Sequence, residues 1–67
     1  MLELFSTVKI RPNSRHYQGG TRQLGTIIDI YSDPRAAYEV EFCDENGRTL
    51  ETLVLLEIEI EPAAPPP

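Results

Sequence analysis

Tyr38-Glu39-Val40-Glu41-Phe42 decides the fold: bulky apolar and acidic residues alternate without a slip, so Tyr38, Val40 and Phe42 share one face and Glu39 and Glu41 the other. That period of two belongs to a half-buried strand. Asp44-Glu45-Asn46-Gly47 follows, and Asn-Gly between alternating runs predicts a two-residue type I′ hairpin, with the next strand beginning near Arg48. On the N-terminal side, Ser32-Asp33-Pro34-Arg35 carries Asp and then Pro in the order that suits a type I turn. Before it, Gly25-Thr26-Ile27-Ile28-Asp29-Ile30-Tyr31 is rich in β-branched and aromatic residues and predicts another strand, with the glycine where a bend or close backbone approach is needed.

Further out, Leu4-Phe5-Ser6-Thr7-Val8-Lys9-Ile10 sets Leu4, Val8 and Ile10 against Phe5, Thr7 and Lys9, a first strand that Pro12 ends. Asn13 to Gln23 has no apolar period and predicts a long exposed loop. Leu53-Val54-Leu55-Leu56 breaks the alternation, which fits a segment covered on both faces or a short 3₁₀ turn. Glu57 to Glu61 alternates again and reads as a short last strand with Ile58 and Ile60 inward. The stretch 52–59 lacks the apolar stripe of a helix. Five short strands, a long first loop and a tight third hairpin predict an all-β chain: a small five-stranded SH3-like barrel over residues 1–61, followed by a disordered Pro-rich tail over 62–67.

Composition bounds what such a domain does. A fold of 67 residues buries only about 60% of the surface its unfolded chain exposes, so a chain that is 40% hydrophobic and has no disulfide is expected to complete its core by self-association. Leu53, Leu55, Ile58 and Ile60 are the expected interface of that homo-oligomer. The single cysteine, Cys43, excludes an internal disulfide and a zinc-site spacing, which fits a reducing cytoplasm. Neither an export signal nor a run of about 18 apolar residues is present, so membrane insertion is not expected. A net charge of −5 opposes general nucleic-acid affinity. Yet the charge is two-sided: Lys9, Arg11, Arg15 and Arg22 lie in a stretch, 8–28, without an acid, while 39–61 holds eight acids against Arg48 alone.

Candidate chemistry is sparse. His16, the only histidine, has no recognisable nucleophile or orienting group, and a general base needs both. Cys43 closes a strand among Glu41, Asp44 and Glu45, where neighbouring acids disfavour a thiolate, and reads as a small half-buried structural residue. The glycines Gly20 and Gly25 mimic a phosphate loop but lack its Lys and its helix. Glu57, Glu59 and Glu61 form a flat ladder, not the converging oxygens of a calcium site. No catalytic residue, metal or cofactor is therefore expected. Arg11, Arg15, His16, Tyr17 and Arg22 remain as the candidate binding residues, since guanidinium forks beside an aromatic suit carboxylates or phosphates.

Val8-x-Ile10, the glycine-led strand 25–31, Tyr38 to Phe42 with Asp44, Gly47 and Thr49, and a last apolar strand ending in an acidic-Ile pair together resemble an uncharacterised family of short bacterial proteins, known as a domain of unknown function. The resemblance runs from Leu4 to Glu61 and is most specific at Tyr38 to Phe42. It implies a small barrel from an accessory gene and brings no activity. Between Asn13 and Leu24 this chain departs from that pattern, with arginines where acids and lysines are usual. The reading that emerges is a non-catalytic protein-interaction module, the accessory or antitoxin-like partner of a neighbouring gene product. The alternative is a nucleic-acid-binding barrel that uses the basic loop 9–22.

Overall fold

The computed structural model describes residues 2–18, 24–44 and 46–64. They form β1 (Thr7–Ile10), β2 (Leu24–Tyr31), β3 (Ala37–Cys43), β4 (Thr49–Leu56), a 3₁₀ helix (Glu57–Glu59) and β5 (Ile60–Pro62). All the strands join one antiparallel sheet in the order β4-β3-β2-β1-β5. No helix among the described residues is long and apolar enough to cross a membrane.

Connectivity forces this sheet to coil. Flat, its two edge strands would stand four spacings apart, roughly 19 Å. Leu56 and Ile60 are separated by only the 3₁₀ turn, which four residues can stretch to roughly 14 Å at most. The edges are thus drawn toward each other, and Leu55 from β4 and Ile60 from β5 enter a single core with Val8, Ile10, Ile27, Tyr38, Val40 and Phe42. The expected barrel does not close, however. Among the described residues β4 pairs with β3 and β5 with β1, leaving an open, coiled sheet.

Tyr38, Val40 and Phe42 are buried, as their alternation requires, opposite Leu55, Leu53 and Glu51 on β4. The Tyr38 hydroxyl is not orphaned: it donates to Glu57 Oε1 at 2.8 Å and accepts from the Leu2 N–H at 3.2 Å. Its burial, reinforced by the Glu57 carboxylate, raises the Tyr38 pKa above the usual tyrosine value. Gly25 is buried opposite Phe42 and Val8, and a Cβ there would lie 2.5 Å from Val40 Cγ1. Close approach of β2 to the β3 side chains is what this glycine permits.

Several local expectations change. β1 begins at Thr7; Glu3 to Ser6 is instead a turn, with the Ser6 N–H donating to the Glu3 carbonyl at 3.2 Å and Phe5 at a φ of 68°. That reversal lets the Phe5 N–H reach the Ile27 carbonyl at 2.7 Å, so Leu4 is exposed along with Phe5 and Leu2 packs on the core where Leu4 was expected. The β3–β4 hairpin is closed between Asp44 and Arg48, with Gly47 at a φ of 83°, so three residues, not two, lie within the loop. Asp44 Oδ1 accepts from the N–H groups of Asn46 and Arg48 at 2.8 and 2.9 Å, holding the bend. The β2–β3 connection contains a cis Asp33–Pro34 peptide. Glu57-Ile58-Glu59 forms the 3₁₀ helix and not a strand, which turns Ile58 out to solvent while Ile60 stays buried. Pro62 still opposes Val8, and the Ala63 N–H donates to the Thr7 carbonyl at 3.0 Å. Thus the pairing runs past the residue 61 boundary; 65–67 lie outside the described residues.

Candidate binding surface

The segment after β1 begins with a proline at the second position of a turn, Arg11-Pro12-Asn13-Ser14, closed by the Ser14 N–H on the Arg11 carbonyl at 3.0 Å. A second turn follows directly, with the Tyr17 N–H on the Ser14 carbonyl at 3.1 Å. Ser14 is buried, and its Oγ accepts from the His16 N–H at 3.1 Å. This one serine therefore organises both turns.

The first turn is also fastened to the far end of the chain. The Arg11 N–H donates to the Glu59 carbonyl at 2.7 Å, Arg11 Nε to the Ile60 carbonyl at 2.8 Å and Asn13 Nδ2 to the Ile58 carbonyl at 3.1 Å. Three successive carbonyls at the 3₁₀–β5 junction are satisfied by residues of the loop. Arg11, expected as a binding residue, is thereby committed at Nε to holding the fold. Arg15 is exposed, Tyr17 is exposed at 39% and His16 is half-buried, all on the second turn, which joins the fastened one at Ser14. Arg22 and the rest of 19–23 lie outside the described residues.

Asn13 and Ser14 were the contributors not singled out from the sequence. Arg-Pro-Asn-Ser is itself a turn signature, but the partners of Asn13 lie 45 residues away and leave no local mark.

The opposite charge gathers on the outer face of the sheet. Asp29 and Glu39 oppose each other across β2 and β3, and Glu41 faces Thr26 and Thr52. Tyr31 donates its hydroxyl to Glu39 Oε1 at 2.5 Å. That bond, with the negative potential of Glu39 and Asp29, pushes the Tyr31 pKa up to about 12. Thr49 Oγ1 donates to Glu41 Oε2 at 2.8 Å, and Lys9 stands opposite Glu61. Among the described residues no group of three or more His, Cys, Asp or Glu is placed to hold a metal ion. Cys43 is exposed and free, not half-buried, because it follows Phe42 onto the outer face.

The expected oligomer interface divides. Leu55 and Ile60 are inside the protomer's own core and unavailable to a second chain, and Leu53 packs against that core. Ile58 is exposed, together with Leu50 and Val54 on β4.

Comparison with curated proteins and with solved structures gives no match. A family described as a domain of unknown function, DUF4926, matches residues 4–62. With that span covering all of β1 to β5, the chain belongs to the DUF4926 family.

Proposed function

We propose that this protein is a non-catalytic, cytoplasmic protein-binding module whose recognition surface is the segment 11–17, and that it serves as the small accessory or antitoxin-like companion of a larger protein. The observation that supports this reading is the fastening of that segment. Loops that are only solvated have no need of a buried serine and of three bonds from their first turn to the distant 3₁₀–β5 junction, whereas a recognition loop gains affinity when its ordering cost is met before the partner arrives. Arginine and tyrosine, the residue types left exposed on it, are also those enriched among the residues that dominate protein interfaces.

An acidic partner segment is the fitting ligand, given Lys9, Arg11 and Arg15 in a stretch without an acid. Carboxylates could be met by the Arg15 fork and the apolar part of a side chain by the Tyr17 ring. Affinity capture from cells of origin with wild-type protein and with Arg15→Glu/Tyr17→Ala tests the reading. Both changed residues are exposed, so the variant is expected to fold and to lose its protein partner. Undiminished capture by the variant would remove 11–17 as the site. Recovery of nucleic acid in place of protein, with binding that falls steeply as salt rises, would move the assignment to a nucleic-acid-binding domain.

A further inference from the structure

The two edges of the sheet are protected very differently. β5 has three residues, one of them Pro62, which has no N–H to offer, and another the charged Glu61. β4 has eight residues with a single charge, Glu51, and neither proline nor lysine. Among the described residues its ladder runs to β3 alone, so a row of its backbone N–H and C=O groups is left for another strand. Thr49 to Thr52 and Val54 are exposed, and Leu50 and Val54 are 66% and 60% accessible.

We propose that β4 pairs antiparallel with β4 of a second copy of this chain about a two-fold axis at Thr52, joining two sheets into one. In such a pair directly opposed residues share a face, so the axis must pass through a residue position. Centred on Thr52, it sets Leu50 of each copy opposite Val54 of the other, uniting the two most exposed apolar residues of the strand, with Thr52 against Thr52 between them. Glu51 then faces Leu53 of the second copy. A centre at Val54 would oppose Glu51 to Glu57 of the other copy, and a centre at Leu53 would leave Val54 against a threonine.

Charge selects the direction. Arg48 precedes β4 and Glu57 follows it, so antiparallel pairing brings Arg48 of one copy to the Leu56–Glu57 end of the other. Parallel pairing would place like charges together at both ends. One strand edge is a smaller contact than the roughly 1,200 Å² at which stable interfaces begin, so the dimer is reversible.

Sedimentation of the full chain over concentrations up to about 1 mM should show a monomer–dimer equilibrium, and Val54→Lys should weaken it more than about tenfold with an unchanged far-ultraviolet spectrum. In a Cys43→Ser background, Thr52→Cys should oxidise to a disulfide-linked dimer, because opposed Cβ atoms in an antiparallel pair approach a disulfide's spacing. Thr49→Cys, set opposite Leu55, should not. A single monomeric species at every concentration, a dimer indifferent to Val54→Lys, or equal cross-linking at 52 and 49 would overturn the proposal.

Discussion

Replacing Gly25 by alanine adds one methyl group where β2 runs closest to the side chains of β3. The new Cβ would lie 2.5 Å from Val40 Cγ1 and 2.8 and 2.9 Å from Phe42 Cε1 and Cδ1. Carbon atoms in contact prefer roughly 3.5–4.0 Å, so three overlaps must be relieved at once. Val40 and Phe42 are both buried in one core cluster with Val8, Ile27 and Leu55, and close packing there leaves little room for either to shift. Overpacking of this kind costs about 1–3 kcal/mol. Gly25 is not at positive φ, so alanine also restricts the unfolded chain, which returns about 0.4–1 kcal/mol.

The net loss expected is about 1–2 kcal/mol, set against a total stability of about 3–10 kcal/mol for 67 residues. In a domain of this size that lowers Tm by roughly 5–15 °C. Thermal and urea unfolding followed by circular dichroism measure it, with an unchanged urea slope. Truncating the nearest obstacle should soften the clash: Gly25→Ala combined with Val40→Ala should cost less than the two single losses together, by about 0.5 kcal/mol or more. A Gly25→Ala protein as stable as the wild type, or strictly additive single and double variants, would refute the close packing of β2 on β3.

Asp44→Ala removes the acceptor for the Asn46 and Arg48 N–H groups and should cost about 1 kcal/mol in urea unfolding, with faster amide exchange at both positions. Tyr38→Phe leaves the Leu2 N–H and the Glu57 carboxylate without their shared hydroxyl; a loss of about 1–2 kcal/mol and faster exchange at Leu2 are expected, and wild-type stability would contradict that network. Ultraviolet titration should find Tyr31 ionising near pH 12 and Glu39→Gln should bring it down toward 10. Since folding raises that pKa, the bond to Glu39 supports the fold below pH 10 and its contribution is lost as pH climbs from 10 through 12.

The alternation at Tyr38 to Phe42 was legible because both of its physical causes are local: the pleat sets a period of two, and one face is buried. Glu57-Ile58-Glu59 shows the same alternation for three residues and yet turns as a 3₁₀ helix, because the chain must pass between opposite edges of the sheet within four residues. That demand belongs to the topology and not to the segment, and it is why Ile58 is exposed where Ile60 is buried. Leu4 lost its expected place in the same way. The core has room for Leu2, whose N–H meets the Tyr38 hydroxyl, once the chain reverses at Phe5. At the binding surface, the basic character of 9–22 was plain from composition. The division of labour within it was not: that Arg11, exposed like Arg15, should also bond a carbonyl 49 residues away depends on where β5 docks.

Site-specific photocross-linking tests the binding assignment most directly. A photoreactive residue in place of Tyr17, carried by the protein in its own cells, should form a discrete adduct with one protein, and Arg15→Glu should abolish that adduct. Adducts formed only with nucleic acid, or protein adducts that persist unchanged in Arg15→Glu, would contradict recognition of a protein partner by the segment 11–17.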